Sequence, residues 1–292
     1  MYGEFEKSNI RNTLEYLRIK EILLLGLFMS SISVAMECDE SIIERDSSLE
    51  RFNLGEDPEH YNKRMVSLEN SCVLLTALRK LYPLNPQNGT QINYKLEWDV
   101  GFPNASANYF VSLKEYRITV NGGILALKDF SLGALASTVC HEIGHILGGT
   151  KDTRRSEKGG KALNLSEGLA DYFASQHCLK KIIRLDSFLF ESLPKIERIK
   201  QICNKDKACI KILNAGYDHY YSGSKGIANL NLESTFVAIK LSLGFNSHPE
   251  FDCRFDSFIN GYFCPEKLDV PCGLLKHHKK FNVYRPPKCF YP

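Results

Sequence analysis

Two histidines and a glutamate, in the run His141-Glu142-Ile143-Gly144-His145, stand inside an apolar segment, and that spacing restricts this chain more than any other feature. On an α-helix, residues four apart share one face, so both imidazoles can reach a single metal ion while Glu142 projects beside it. A carboxylate next to a metal-activated water is placed to take its proton, which points to hydrolysis. From Phe130 to Leu147 the apolar residues Leu132, Leu135, Val139, Ile143, Ile146 and Leu147 recur at helical intervals. Ser131 reads as the N-cap and Gly148-Gly149 as the stop. The pattern predicts a buried helix that carries a metal site.

Hydrolytic zinc sites use three protein ligands and keep one position open, so a third donor has to come from elsewhere in the chain. Glu167 is the candidate. It opens Ser166 to Ala174, read as a second helix, with Asn164 and Glu167 spaced as a capping box. Asp171 follows one turn later, on the side where it can accept a hydrogen bond from the non-metal nitrogen of His141 and fix that ring's tautomer. Gly144 on the first helix, with Gly168, Ala170 and Ala174 on the second, would let the two pass closely. A helical glycine costs about 1 kcal/mol relative to alanine, so close approach is a physical reason for Gly144. The competing reading makes Glu167 and Asp171 a solvated helix start, where the dipole favours acids anyway.

His141-Glu142-Ile143-Gly144-His145 followed by Glu167-Gly168-Leu169-Ala170-Asp171 resembles the gluzincin group of zinc metallopeptidases, which pair H-E-x-x-H on one helix with E-x-x-x-D on the next. The Glu-x-x-Ala-Asp form looks most like the membrane-associated and secreted bacterial peptidases of that group. The resemblance covers roughly Ala105 to Lys181. It implies that His141, His145 and Glu167 bind Zn²⁺, that Glu142 is general base and acid, and that Asp171 orients His141. The metzincin family is the runner-up within peptidases, since His141 to Gly148 fits its opening, but Lys151 occupies the position of that family's last ligand, Asp152 is one residue out of register, and no methionine follows Met65.

Asn108 to Leu113 and Tyr116 to Leu127 are rich in aromatic and β-branched residues and read as strands, with Asn121-Gly122-Gly123 as a turn signal. A strand beside the metal helix could take an extended peptide by edge pairing, or could simply roof the helices. Gly216 to Tyr221 reads as a loop rich in donors, and His219, then Tyr220, are the candidates for stabilising an oxyanion. His177, ten residues after Glu167, points away from that ligand's face. His277-His278 belong to a solvated basic run.

Ile22 to Val34 is an apolar stretch preceded by Arg18 and Lys20, and Ser33-Val34-Ala35 suits a signal peptidase, so cleavage after Ala35 is expected; an uncleaved anchor is the alternative. The stretch is short of the about 20 apolar residues that cross a bilayer. All 10 cysteines follow it, and in an exported chain an even, dispersed set reads as disulfides. Cys203 and Cys209 should close a small loop, Cys140 either pairs or is buried, and Cys253, Cys264, Cys272 and Cys289 should staple the tail. A formal net charge of +3 and the absence of a phosphate-binding glycine loop give no reason to invoke nucleic acid.

The expected organisation is a signal peptide over 1–35, an acidic lead-in over 36–60, a metallopeptidase-like domain over 61–247 and a Cys/Pro-rich extension over 248–292. The expected fold class is α+β: a mainly helical zincin-like domain with a small antiparallel sheet and a Cys-rich tail. Further helices are expected over Tyr61 to Leu81, Phe188 to Leu213 and Leu232 to Leu243. Two function classes remain. One is a secreted or periplasmic zinc-dependent peptidase that acts on peptides or proteins, without stable membrane insertion after cleavage. The other is a non-catalytic exported module with a structural or vestigial zinc site.

Overall fold

The computed structural model describes residues 37–44, 64–86, 88–148, 161–185, 190, 192–229 and 251–265. Cys38–Pro292 form one unit, separate from Met1–Glu37, and every element below belongs to it. The expected signal peptide, the Leu232 to Leu243 helix, His277-His278 and the tail beyond 265 lie outside the described residues.

The architecture is α+β and mostly helical, with one small sheet. Its strands are β1 (Ile43–Glu44), β2 (Gln91–Glu97), β3 (Ala105–Phe110) and β4 (Glu115–Asn121), in the order β1-β2-β4-β3. The sheet is mixed, not antiparallel as expected: β1 with β2 and β2 with β4 run parallel, and only β3 against β4 is antiparallel. β2 explains the difference. Its sequence alternates, with Ile92, Tyr94 and Leu96 buried between more exposed neighbours, and it precedes the two strands that the sequence reading found. The chain from β2 passes to the far side of β4 before β3 begins, so β2 meets β4 in the same direction. Boundaries also move. Val111 to Lys114 is the turn of a β3–β4 hairpin, and β4 ends at Asn121, where a 3₁₀ turn over Gly122–Ala126 takes over.

Helix α1 (Leu68–Leu81) starts later than the expected Tyr61, at the N-cap Ser67, whose hydroxyl accepts from the Asn70 amide. Its Leu74, Leu75 and Leu78 share one core with Ile92, Leu96, Ile118 and Val120 of the sheet. Helix α2 (Leu132–Leu147) forms as the periodicity predicts, capped by Ser131, which accepts from the Ala134 amide at 3.1 Å. Such a cap contributes about 1 kcal/mol. Helix α3 (Lys161–Phe173) runs into a single π-helical turn, Ala174–Cys178, and then α4 (Leu179–Leu185). Its start at Lys161 puts Glu167 in mid-helix, so Asn164 is no N-cap and the capping-box reading fails.

Phe188 to Leu213 is not one helix. Helix α5 (Glu197–Cys203) stops at Asn204, whose φ of 53° leaves the helical region, and α6 (Lys207–Asn229) restarts after Asp206, whose carboxylate accepts from the Ala208 and Cys209 amides. The Cys203–Cys209 disulfide closes this corner, as expected. Gly216 to Tyr221 lies inside α6 and is not a loop. Gly216 is there for packing: a Cβ would fall 2.4 Å from the Phe258 ring. That ring belongs to α7 (Phe251–Phe263), which packs on both α3 and α6. Disulfides also join Cys38 to Cys72 and Cys140 to Cys178, and Cys264 is disulfide-bonded. Among the described residues, no helix is long and apolar enough to cross a membrane.

Candidate metal centre

Four helices deliver the site. α2 brings His141 and His145, with Glu142 buried beside His141 in the chain, α3 brings Glu167 and Asp171, α6 brings His219 and Tyr220, and α7 brings Arg254. The first contact is steric. A Cβ on Gly144 would sit 2.7 Å from both the Cα and the carbonyl oxygen of Ala170, so only glycine lets α2 and α3 lie this close. The expectation for Gly144 and Ala170 holds, and its effect is to bring Glu167 to the histidine face.

Glu167 reaches both rings: Oε2 lies 3.1 Å from His141 Nε2 and Oε1 lies 3.4 Å from His145 Nε2. One donor atom from each of His141, His145 and Glu167 falls within 4.8 Å of the others. Ligand atoms about 2.0–2.1 Å from a tetrahedral ion stand roughly 3.3 Å apart, so the two separations to Glu167 suit a shared ion. Glu167 is 1 % exposed and His141 4 %, and carboxylate burial of this degree calls for positive charge, which Arg254 supplies in part from 3.6 Å. The group can hold a metal ion.

Asp171 stands where the helical spacing predicts. Its Oδ1 lies 2.7 Å from His141 Nδ1, which leaves Nε2 directed at Glu167. Tyr220 donates its hydroxyl to the same oxygen at 2.6 Å, and Arg254 donates from Nη2 to Oδ1 at 2.9 Å and from Nε to Oδ2 at 3.1 Å. Arg254 Nη2 also lies 3.6 Å from Glu167 Oε2 and within 3.3 Å of both His141 ring nitrogens. Burial opposes the ionised form of Asp171, but Arg254 and His141 outweigh it and hold its pKa well below the usual carboxylate range. Glu167 behaves likewise: burial raises it, and His145, His141 and Arg254 together bring it well down. Burial pushes the Tyr220 phenol well up, and the Asp171 charge adds to that.

Burial pulls His141 down too, yet the Asp171 charge and hydrogen bonds from Asp171 and Glu167 prevail, against Arg254, and carry it to about 9. The ion-free site therefore holds a proton on His141 at neutral pH. A metal must displace it, so affinity should rise with pH until the pH passes that value. Calorimetry of divalent-metal uptake at pH 7 in buffers of different ionisation enthalpy should show protons released on binding; release of none would contradict this.

His219 is brought near the site although it lies in a helix. It is half-buried, its ring centroid is 6.0 Å from that of His141, and its Nδ1 lies 3.3 Å from Ser137 Oγ. Burial, then Arg254 and His141, push its pKa well below the ordinary value, which keeps it neutral. Tyr220, the other donor candidate, directs its hydroxyl at Asp171 instead. Sequence reasoning missed Arg254. The available sign was a cation on an otherwise apolar helical stripe of Phe251, Phe255, Phe258 and Tyr262. No protein-family model, curated protein or solved structure matches this chain.

Proposed function

We propose that this chain is an exported zinc-dependent peptidase of the gluzincin type. The observation that carries the reading is the convergence of His141, His145 and Glu167 with Asp171 on the remote nitrogen of His141. Two imidazoles and one carboxylate are the donor set of hydrolytic zinc sites that keep a coordination position open, whereas structural sites favour four ligands, often thiolates. The described cysteines are held in disulfides, so they are not competing donors. Zinc bound there would supply Lewis acidity, lowering the pKa of water and polarising a peptide carbonyl.

The chain's own groups do the rest. Glu142, buried next to His141, takes the proton of the attacking water and delivers it to the amide nitrogen as the C–N bond breaks. His219, held neutral, donates to the oxyanion that develops on the carbonyl oxygen. Arg254 and Tyr220 fix Asp171, which fixes His141, so these three position the site without touching substrate. β3 is an edge strand that packs beside α2 and offers backbone pairing to an extended peptide, which needs little side-chain specificity. The disulfides support export, since oxidising compartments are where they persist.

The test is hydrolysis of casein and of a mixed peptide library by purified protein with one equivalent of zinc. Activity should vanish on chelation and return when zinc is restored. A folded, zinc-loaded protein that cleaves nothing would overturn the peptidase reading in favour of a non-catalytic module.

A further inference from the structure

The turn of the β3–β4 hairpin, Val111-Ser112-Leu113-Lys114, breaks the usual chemistry of turns. Its closing bonds are ordinary, Leu113 N to Phe110 O at 3.2 Å and Lys114 N to Val111 O at 3.3 Å. Tight turns favour Gly, Asn, Asp and Ser, which tolerate positive φ or hydrogen-bond their own backbone. Here Lys114 takes a φ of 52°, and Val111 and Leu113 stand in solvent at 76 % and 58 % exposure. Tyr109, two residues before Val111 near the end of β3, is 49 % exposed and rests on Tyr116 with ring centroids 5.0 Å apart. Val111 and Leu113 gain nothing from the core here, because most of each side chain stays in water.

The exposed Leu84 at this end of the sheet is not part of that group: it bridges to Gln91, which pairs with Glu115 and then Phe110, so it lies about 14 Å away on the face opposite Tyr109. The neighbouring polar groups are mostly satisfied. Glu115 is held by Arg117 at 2.8 Å and by Asn93, and Arg117 covers the Phe110 ring. Lys114 joins no ion pair among the described residues.

We propose that this rim is a peripheral contact with an anionic lipid surface, with Val111 and Leu113 entering the headgroup boundary and Lys114 meeting lipid phosphate. A protruding turn suits insertion between headgroups better than it suits docking on a flat protein face. Tyr109, Val111 and Leu113 expose a few hundred Å² at most, short of the roughly 800 Å² per partner of a stable protein interface. A bilayer needs no such area, because each apolar group that leaves water contributes by itself and the basic residue adds attraction to anionic lipid.

The test uses the full chain with vesicles of phosphatidylcholine containing or lacking phosphatidylglycerol. Trp98 is the only native tryptophan, so Leu113→Trp adds a reporter at the tip. Its emission should shift to the blue on anionic vesicles and be quenched by brominated acyl chains, with no such response from the parent chain. Val111→Ser with Leu113→Ser should weaken partitioning about tenfold or more, and Lys114→Glu should weaken it on anionic vesicles alone. An introduced indole that neither shifts nor is quenched overturns the proposal. So does a dimer in sedimentation that Val111→Ser with Leu113→Ser disperses while the lipid response is absent, which would assign the rim to a second copy of this chain.

Discussion

Glu142→Gln should retain about one equivalent of zinc and lose about 10²- to 10⁴-fold in peptide hydrolysis, the range that a positioned general base contributes. The substitution keeps shape and removes only proton acceptance. Glu167→Ala separates the roles, because it deletes a ligand: metal content should fall toward zero and activity with it. Elemental analysis beside an initial-rate assay reads both quantities. Unchanged turnover in Glu142→Gln would remove Glu142 as the base, and full zinc retention in Glu167→Ala would remove Glu167 from the ligand set.

Gly144→Ala should destabilise the protein by about 1–3 kcal/mol, the usual range for overpacking. Helix propensity alone predicts the opposite sign, a gain of about 1 kcal/mol. The clash decides, since the added methyl would meet backbone atoms of Ala170 at 2.7 Å, and backbone cannot rotate away. Ala170→Gly should therefore fail to rescue the variant. Zinc affinity should fall as well, because Glu167 lies one turn before Ala170 on the helix that is pushed aside. Thermal unfolding with metal titration checks the prediction; a more stable variant with unaltered affinity would show that α2 and α3 need no such proximity.

The legible part of the site was local. His141 with His145, and Glu167 with Asp171, are pairs one helical turn apart, and helical period alone puts each pair on one face. The apolar run and Ser131 set α2 in the same way. Arg254 was not legible because it meets Asp171 across 83 residues, and no periodicity encodes that distance. Gly216 misled for a related reason: glycine breaks helices in isolation, but here the Phe258 ring occupies the space a side chain would need. Asn164 and Glu167 fit a capping box by spacing, yet the helix began at Lys161, three residues earlier than Asn164. β2 shows the reverse case: its alternation is plain in the sequence, but its parallel pairing with β4 depends on where the chain crosses, which no alternation encodes.

The bond from Cys140 to Cys178 begins at the residue immediately before the first histidine and ends at the last residue of the π turn that follows α3. Both cysteines are fully buried, so the bond ties the ligand-bearing helix to the turn behind α3 and is open to thiol reductants only when the chain unfolds. A chain made in a reducing cytosol would have to fold without that staple, and whatever it did in an assay would describe that chain and not the oxidised protein.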